Sequence, residues 1–206
     1  MVESTNELGK RTAKETDNQE EIKDPGQAKR RVNMPKKNEH RMHAHINPFQ
    51  HMTWPTPLNP RFVDWSPHYP SFFNLPNNND DKIVTNTKDH PITYTQENVD
   101  KPADLVPKIL DIGCGYGGLC FELTKGFPDK LILGLEIRDK VVNFAAEKVN
   151  TIRINSEYKE ALNIAFCRQN AMKSLHNYFE KDSVSNHSFH LHCSVHLARQ
   201  DVLLLC

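Results

Sequence analysis

The chain has 206 residues, 26 lysines and arginines against 26 aspartates and glutamates, and 37% hydrophobic residues. That length bounds it at one domain with extensions. The balanced charge excludes a global attraction to nucleic acid. No apolar signal segment opens the sequence, no run is long enough to cross a bilayer, and the five cysteines hold no C-x-x-C pair. Reduced thiols and a cytosolic or nuclear compartment are therefore expected.

Residues 1–44 are polar, mixed in charge and poor in aromatics. They cannot bury enough apolar surface to offset their ordering entropy, which predicts a disordered tail. Its later part is basic: Lys29-Arg30-Arg31 and Lys36-Lys37, then Arg41 among His40, His43 and His45, with Glu39 as the only acid. This is either a solvated tail or a stretch for nuclear import or RNA contact. Residues 45–104 form an extension. Its first part carries Phe49, Trp54, Phe62, Trp65, Tyr69, Phe72 and Phe73 among many prolines. Proline removes donors and blocks regular structure, so this segment wraps on something. Its aromatics either cover the domain as a satellite core or form a lip or RNA platform. Asn77 to about Ala103 reads as a loop with a short strand-like piece, Pro91 to Thr95.

From Leu105 the pattern alternates. Strands are predicted over Val106–Ile112, Leu131–Ile137 and Ile164–Arg168. Helices are predicted over Leu119–Gly126, ended by Gly126 and Pro128, and over Asp139 to about Ile154. Asn170-Ala171 and a short helical piece to about Phe179 follow. Strands alternating with helices argue for a parallel, doubly wound α/β sheet with right-handed crossovers.

The chemistry concentrates at the first strand–helix junction, Asp111-Ile112-Gly113-Cys114-Gly115-Tyr116-Gly117-Gly118. Glycines there admit positive φ and close approach of a ligand. Glu136 lies 23 residues after Gly113, at the end of the second strand. An acid at that place accepts hydrogen bonds from two ribose hydroxyls. Gly113, Gly115 and Gly118 satisfy G-x-G-x-x-G, so a dinucleotide fits, as does S-adenosylmethionine. Asp111 favours the second, because a carboxylate suits a sulfonium and an amino group better than a pyrophosphate. The bland alternative is a glycine turn with no ligand.

His45-Ile46-Asn47-Pro48, Asp64-Trp65-Ser66, Tyr69-Pro70, Phe72-Phe73, the glycine turn, Gly134-Leu135-Glu136-Ile137-Arg138 and Asn170-Ala171-Met172-Lys173 together resemble the eukaryotic tRNA (guanine-N7-)-methyltransferases. The resemblance runs over about residues 40 to 182. It implies the N-terminal part of a doubly wound, Rossmann-like class I methyltransferase domain. It also implies S-adenosylmethionine as methyl donor, N7 of the variable-loop guanine of tRNA as acceptor, a WD-repeat partner subunit and a nuclear location. Carried over residue by residue, it sets Gly113 against the methionine part of the donor and Glu136 on the ribose hydroxyls. Ile137 packs on the adenine, Arg138 reaches the site or a substrate phosphate, and Asn170 and Ala171 border the adenine edge. The bland readings are core for Ile137, a solvated helix start for Arg138 and a helix cap for Asn170.

The resemblance ends after Asp182. The family continues with a fourth strand ending in Phe-Pro-Asp-Pro-His, whose aspartate is assigned to catalysis, and then with basic residues that hold tRNA. Residues 183–206 carry neither, so no catalytic residue of the family is retained. A splice variant or a shifted frame accounts for the tail most simply. His187, His190, His192, Cys193 and His196 supply ligand types but no zinc spacing, so no metal is expected. Residues 105–182 are then a partial domain with an incomplete sheet. Its first strand is expected to be left with a bare edge, the unit poorly stable and transfer impaired. The competing functions are a catalytically inactive isoform that binds a partner or cofactor, and a nicotinamide-linked oxidoreductase.

Overall fold

A computed structural model of the chain describes residues 31–43, 46–47, 54–74, 83–94 and 105–181, and the backbone of 186–189. Expectations for residues 1–30, His45, Phe49, most of the loop after Asn77 and the histidines after Phe189 lie outside the described residues.

Four strands form one parallel sheet in the order β3-β2-β1-β4: β1 is Ile109–Ile112, β2 Ile132–Glu136, β3 Ile164–Arg168 and β4 Asn186–Phe189. The strands β1 to β3 are buried almost throughout, the mark of a sheet covered on both faces. Register sorts their side chains by face. Ile109, Ile132 and Ile164 stand in one row, and Leu110, Leu133 and Ala165 in the next.

The first row faces helices. Helix α1 (Gly118–Gly126) starts from Gly117, whose left-handed φ of 79° suits only glycine at low cost. Helix α2 (Asp139–Asn155) buries Val142, Ala145, Ala146 and Val149 on Ile109, Ile132, Ile164 and Phe166. Asp139 in its first turn complements the helix dipole. Right after β3, the single-turn helix α3 (Ala171–Ser174) is capped by Asn170.

The second row faces the aromatic segment. Val63, Trp65 and Tyr69 pack with Leu110, Leu133, Leu135, Cys167, Tyr178 and Phe179 in one cluster. Trp65 stacks on Phe179 with centroids 5.5 Å apart, and Tyr69 Oη donates to the Ile132 carbonyl at 2.9 Å. Each such fully buried apolar side chain contributes about 1.5–3 kcal/mol. Proline-rich chain can do this because large rings supply area without needing a helix. Of the two roles open to these aromatics, Trp65 and Tyr69 take the core one. Arg153, in the last turn of α2, ties the two faces together at the start of β3. Its Nε donates to Ala161 O at 2.9 Å, and its Nη2 to Ile164 O at 2.8 Å and His68 O at 3.3 Å.

The structure departs from the sequence reading in four places. The β1 ladder starts at Ile109, three residues after the predicted Val106, because Pro107 has no N–H to give. Residues 91–94 form no strand; Ile92 and Tyr94 pack on the aromatic cluster instead. Residues 31–43, expected as disordered tail, lie along α2. Asn155 pairs its side-chain amide with both backbone groups of Val32, and His40 contacts the Lys140 carbonyl and the Glu147 carboxylate. The largest departure concerns the edge of β1. It is not bare: β4 pairs with it in parallel, Ile109 against Asn186 through Ile112 against Phe189. A ladder is made of backbone groups, so a tail without the family's residues still fills that place.

Candidate functional site

The site lies where β1 and β2 end. Gly113 and Cys114 follow β1, and both backbone N–H groups donate to the Leu135 carbonyl, at 2.8 and 3.1 Å. This clamps the glycine turn to β2. Gly113, Gly115 and Gly117 all have positive φ, and Gly113 is exposed at the mouth. The turn therefore presents main chain, not side chain, to the crevice. Beneath it Asp111 is buried against α1 and accepts a hydrogen bond from the Cys120 thiol at 3.3 Å. Burial first, and then Asp111, pushes the Cys120 thiol well above its usual range, which keeps it a donor.

Glu136 closes β2 with its side chain 4% exposed. Its Oε1 accepts from the backbone N–H groups of Ile137 at 2.8 Å and Arg138 at 3.0 Å. Its Oε2 accepts from the Gly115 N–H of the turn at 3.1 Å. The Arg138 guanidinium grips both oxygens, Nε to Oε1 at 3.1 Å and Nη2 to Oε2 at 2.9 Å. These bonds hold the Arg138 pKa above its ordinary value against the opposing effect of partial burial. Ile137 is half-buried, and its carbonyl accepts from Arg168 Nε at 3.0 Å. The Gln169 N–H donates to the Glu136 carbonyl at 3.0 Å, which brings the end of β3 alongside. Asn170 follows, buried, its side chain accepting from the Met172 N–H at 3.2 Å; Ala171 packs toward the aromatic cluster.

The structure thus gathers the glycine turn, Glu136, Ile137 and Arg138 directly, with Asn170 and Ala171 one strand further. Asn170 serves as the helix cap of the bland reading. Asp111 sits under α1 rather than at the mouth. Sequence reasoning missed Arg168, whose guanidinium lies 4.5 Å from the Trp54 ring centre while bonding Ile137. The available signal was a cation ending an otherwise apolar strand. It also missed the ring contacts at the turn: Tyr116 meets Phe144 edge-on at 5.1 Å, and Lys37 lies 5.2 Å over Tyr116.

These residues fit an adenosyl ligand. A buried carboxylate ends one strand, a glycine-rich turn with Gly113 exposed ends the next, and apolar Ile137 flanks both. Among the described residues no group of three or more His, Cys, Asp or Glu could hold a metal ion, and no helix is long and apolar enough to cross a membrane.

A family model described as "Putative methyltransferase" matches residues 106–191, taking in the whole sheet. The tRNA (guanine-N(7)-)-methyltransferase of Eremothecium gossypii is 37% identical over 159 residues, 77% of this chain and 48% of that protein. The Bos taurus protein of the same description is 40% identical over 156 residues, 75% of this chain and 52% of its own. In Xenopus tropicalis the tRNA (guanine-N(7)-)-methyltransferase A is 38% identical over 157 residues, covering 75% and 53%. The chain spans about half the length of the curated relatives it matches. By sequence, over about three quarters of its length, the chain is a homologue of the eukaryotic tRNA (guanine-N7-)-methyltransferases, a family of S-adenosylmethionine-dependent enzymes.

Proposed function

We propose that this chain is the cofactor-holding part of a tRNA (guanine-N7-)-methyltransferase, binding S-adenosylmethionine and retaining little transfer by itself. The observation that carries the reading is the Glu136 carboxylate, buried at the end of β2 and joined to the Gly115 N–H of the facing turn. That arrangement suits a ribose diol beside a main-chain bend. Glu136 accepts the hydroxyls, Gly113 leaves room for the methionine part, Ile137 packs on the adenine, and Asn170 and Ala171 border its edge.

The donor supplies an activated methyl group on a sulfonium. Guanine N7 carries a free lone pair, so no proton must first be removed from it. The protein contributes proximity, alignment and a suitable electrostatic surround. The relatives act on tRNA by name, and the reading extends to tRNA as substrate, a WD-repeat partner subunit and the nucleus as compartment. Impaired transfer follows from residues 183–206, which lack Phe-Pro-Asp-Pro-His and the basic run after it. That same feature favours a second reading, an inactive isoform that only binds cofactor or partner.

The test is methyl transfer from tritiated S-adenosylmethionine to unmodified tRNA, with the full-length Bos taurus relative as control. The expected result is transfer at least about a hundredfold below the control, on guanine N7. No transfer with donor bound favours the inactive isoform. Transfer equal to the control removes the claim of impairment, and a label on any other base removes the assignment.

A further inference from the structure

The Glu136 carboxylate is over-subscribed. A carboxylate offers about four lone-pair positions. Five donors already point at its two oxygens: the N–H groups of Gly115, Ile137 and Arg138, and Nε and Nη2 of Arg138. Two ribose hydroxyls could bond it only by taking the place of two of these donors. Three of the donors are main-chain groups, held by the end of β2, the start of α2 and the clamped turn. The other two belong to one long side chain that can rotate away without moving backbone.

The guanidinium also has the shape of what it excludes. A planar fork offering two N–H groups to two carboxylate oxygens mimics a cis-diol offering two O–H groups to the same pair. It lies across the turn: a Cβ built on Gly115 would sit 3.8 Å from Arg138 Nη2. With its side chain 18% exposed, the guanidinium has a path to solvent.

We propose that Arg138 is an internal stand-in for the nucleoside diol, latched on Glu136 in the free protein and displaced when a nucleoside ligand enters. This rests on the reading of Glu136 as the ribose acceptor, and it reverses the role first assigned to Arg138. Instead of contributing a bond to the bound ligand, Arg138 competes with it. The latch keeps the carboxylate satisfied in the empty site, where an unpaired buried charge would be costly.

The experiment uses the whole chain and S-adenosylhomocysteine, which has no sulfonium, so loss of the arginine charge does not itself favour the ligand. Calorimetry compares wild type with Arg138→Gln and Arg138→Lys, and thermal melts check that each folds. Arg138→Gln is expected to bind about threefold or more tighter than wild type, and Arg138→Lys to fall between them, since a single ammonium cannot make the fork. NMR of the arginine Nε–H of wild type needs no substitution: the Arg138 resonance should shift on saturation with the ligand. Weaker binding by folded Arg138→Gln, or an unmoved Arg138 resonance at saturation, overturns the latch alone. If neither wild type nor Arg138→Gln binds the nucleoside, the cofactor reading falls and takes the latch with it. Binding by Arg138→Gln but not by wild type supports the latch in its strongest form.

Discussion

Gly134→Ala should be costly although the position lies in a strand with unremarkable φ. A Cβ at Gly134 would come within 3.0 Å of two Phe166 ring atoms and 2.9 Å from Cys114 Sγ. Phe166 is 1% exposed and lies 5.8 Å from the Phe121 ring centre. It cannot retreat toward the turn, because a Cβ at Gly117 would also fall within 3.0 Å of the ring. The ring is held between two glycines, one on β2 and one at the start of α1. Adding one methyl to so tight a place costs about 1–3 kcal/mol. Near the melting point of a domain this small, that lowers Tm by about 5–20 °C. Gly117→Ala should cost more, since the same overlap is joined by strain at φ 79°. Circular dichroism melts and urea titrations measure both. Phe166→Leu should be partly relieved in the Gly134→Ala background, with a coupling of about 1 kcal/mol in a double-mutant cycle. A Gly134→Ala melting temperature equal to wild type would refute the packing of β1, β2 and β3 around this ring.

Tyr69→Phe removes the buried hydroxyl that donates to Ile132 and should cost about 1 kcal/mol in urea unfolding. Arg153→Met leaves the carbonyls of Ala161, Ile164 and His68 without this donor and should cost about 2–4 kcal/mol by the same titration. His68 is buried, and its pKa is lowered from 6.5 to about 4, by burial first, with Asp64 opposing and Arg153 adding. Between those values the unfolded chain holds a proton that the folded chain refuses. Stability present above pH 6.5 is therefore lost as pH falls toward 4, by about 3 kcal/mol in all. Urea melts across that range should show the loss in wild type and much less of it in His68→Leu; parallel curves would contradict a neutral His68 in the fold.

The sequence made the α/β order plain, and particular residues show why the rest was less so. Ile164–Arg168 could be read at both ends because its hydrophobic run is bounded by Asn163 and by Gln169-Asn170. Val106 looked like strand because it is apolar and does pack on the core, but Pro107 delays the ladder. Glu136 stood out by spacing alone. Its surrounding donors did not, since the Arg138 fork depends on side-chain rotation that no pattern encodes. The docking of residues 31–43 was hidden because it runs through single contacts, among them the Asn155 amide, the His40 imidazole and Lys37 over Tyr116, not through an apolar stripe. The pairing of β4 with β1 was hidden for a related reason: ladder bonds belong to the main chain, and residues 183–193 were judged by their side chains. The aromatic segment was visible by composition, but its place opposite α1 and α2 follows only from the register that turns Leu110, Leu133 and Ala165 toward it.

The central claim is that an adenosyl nucleoside is held by the carboxylate at the end of β2 beside the glycine turn. Calorimetric titration of S-adenosylhomocysteine into wild type and Glu136→Gln tests it most directly. The account predicts that wild type binds, that the glutamine variant binds at least about tenfold more weakly, and that neither binds NAD. Equal affinity in the two proteins, or binding of NAD without S-adenosylhomocysteine, would contradict it.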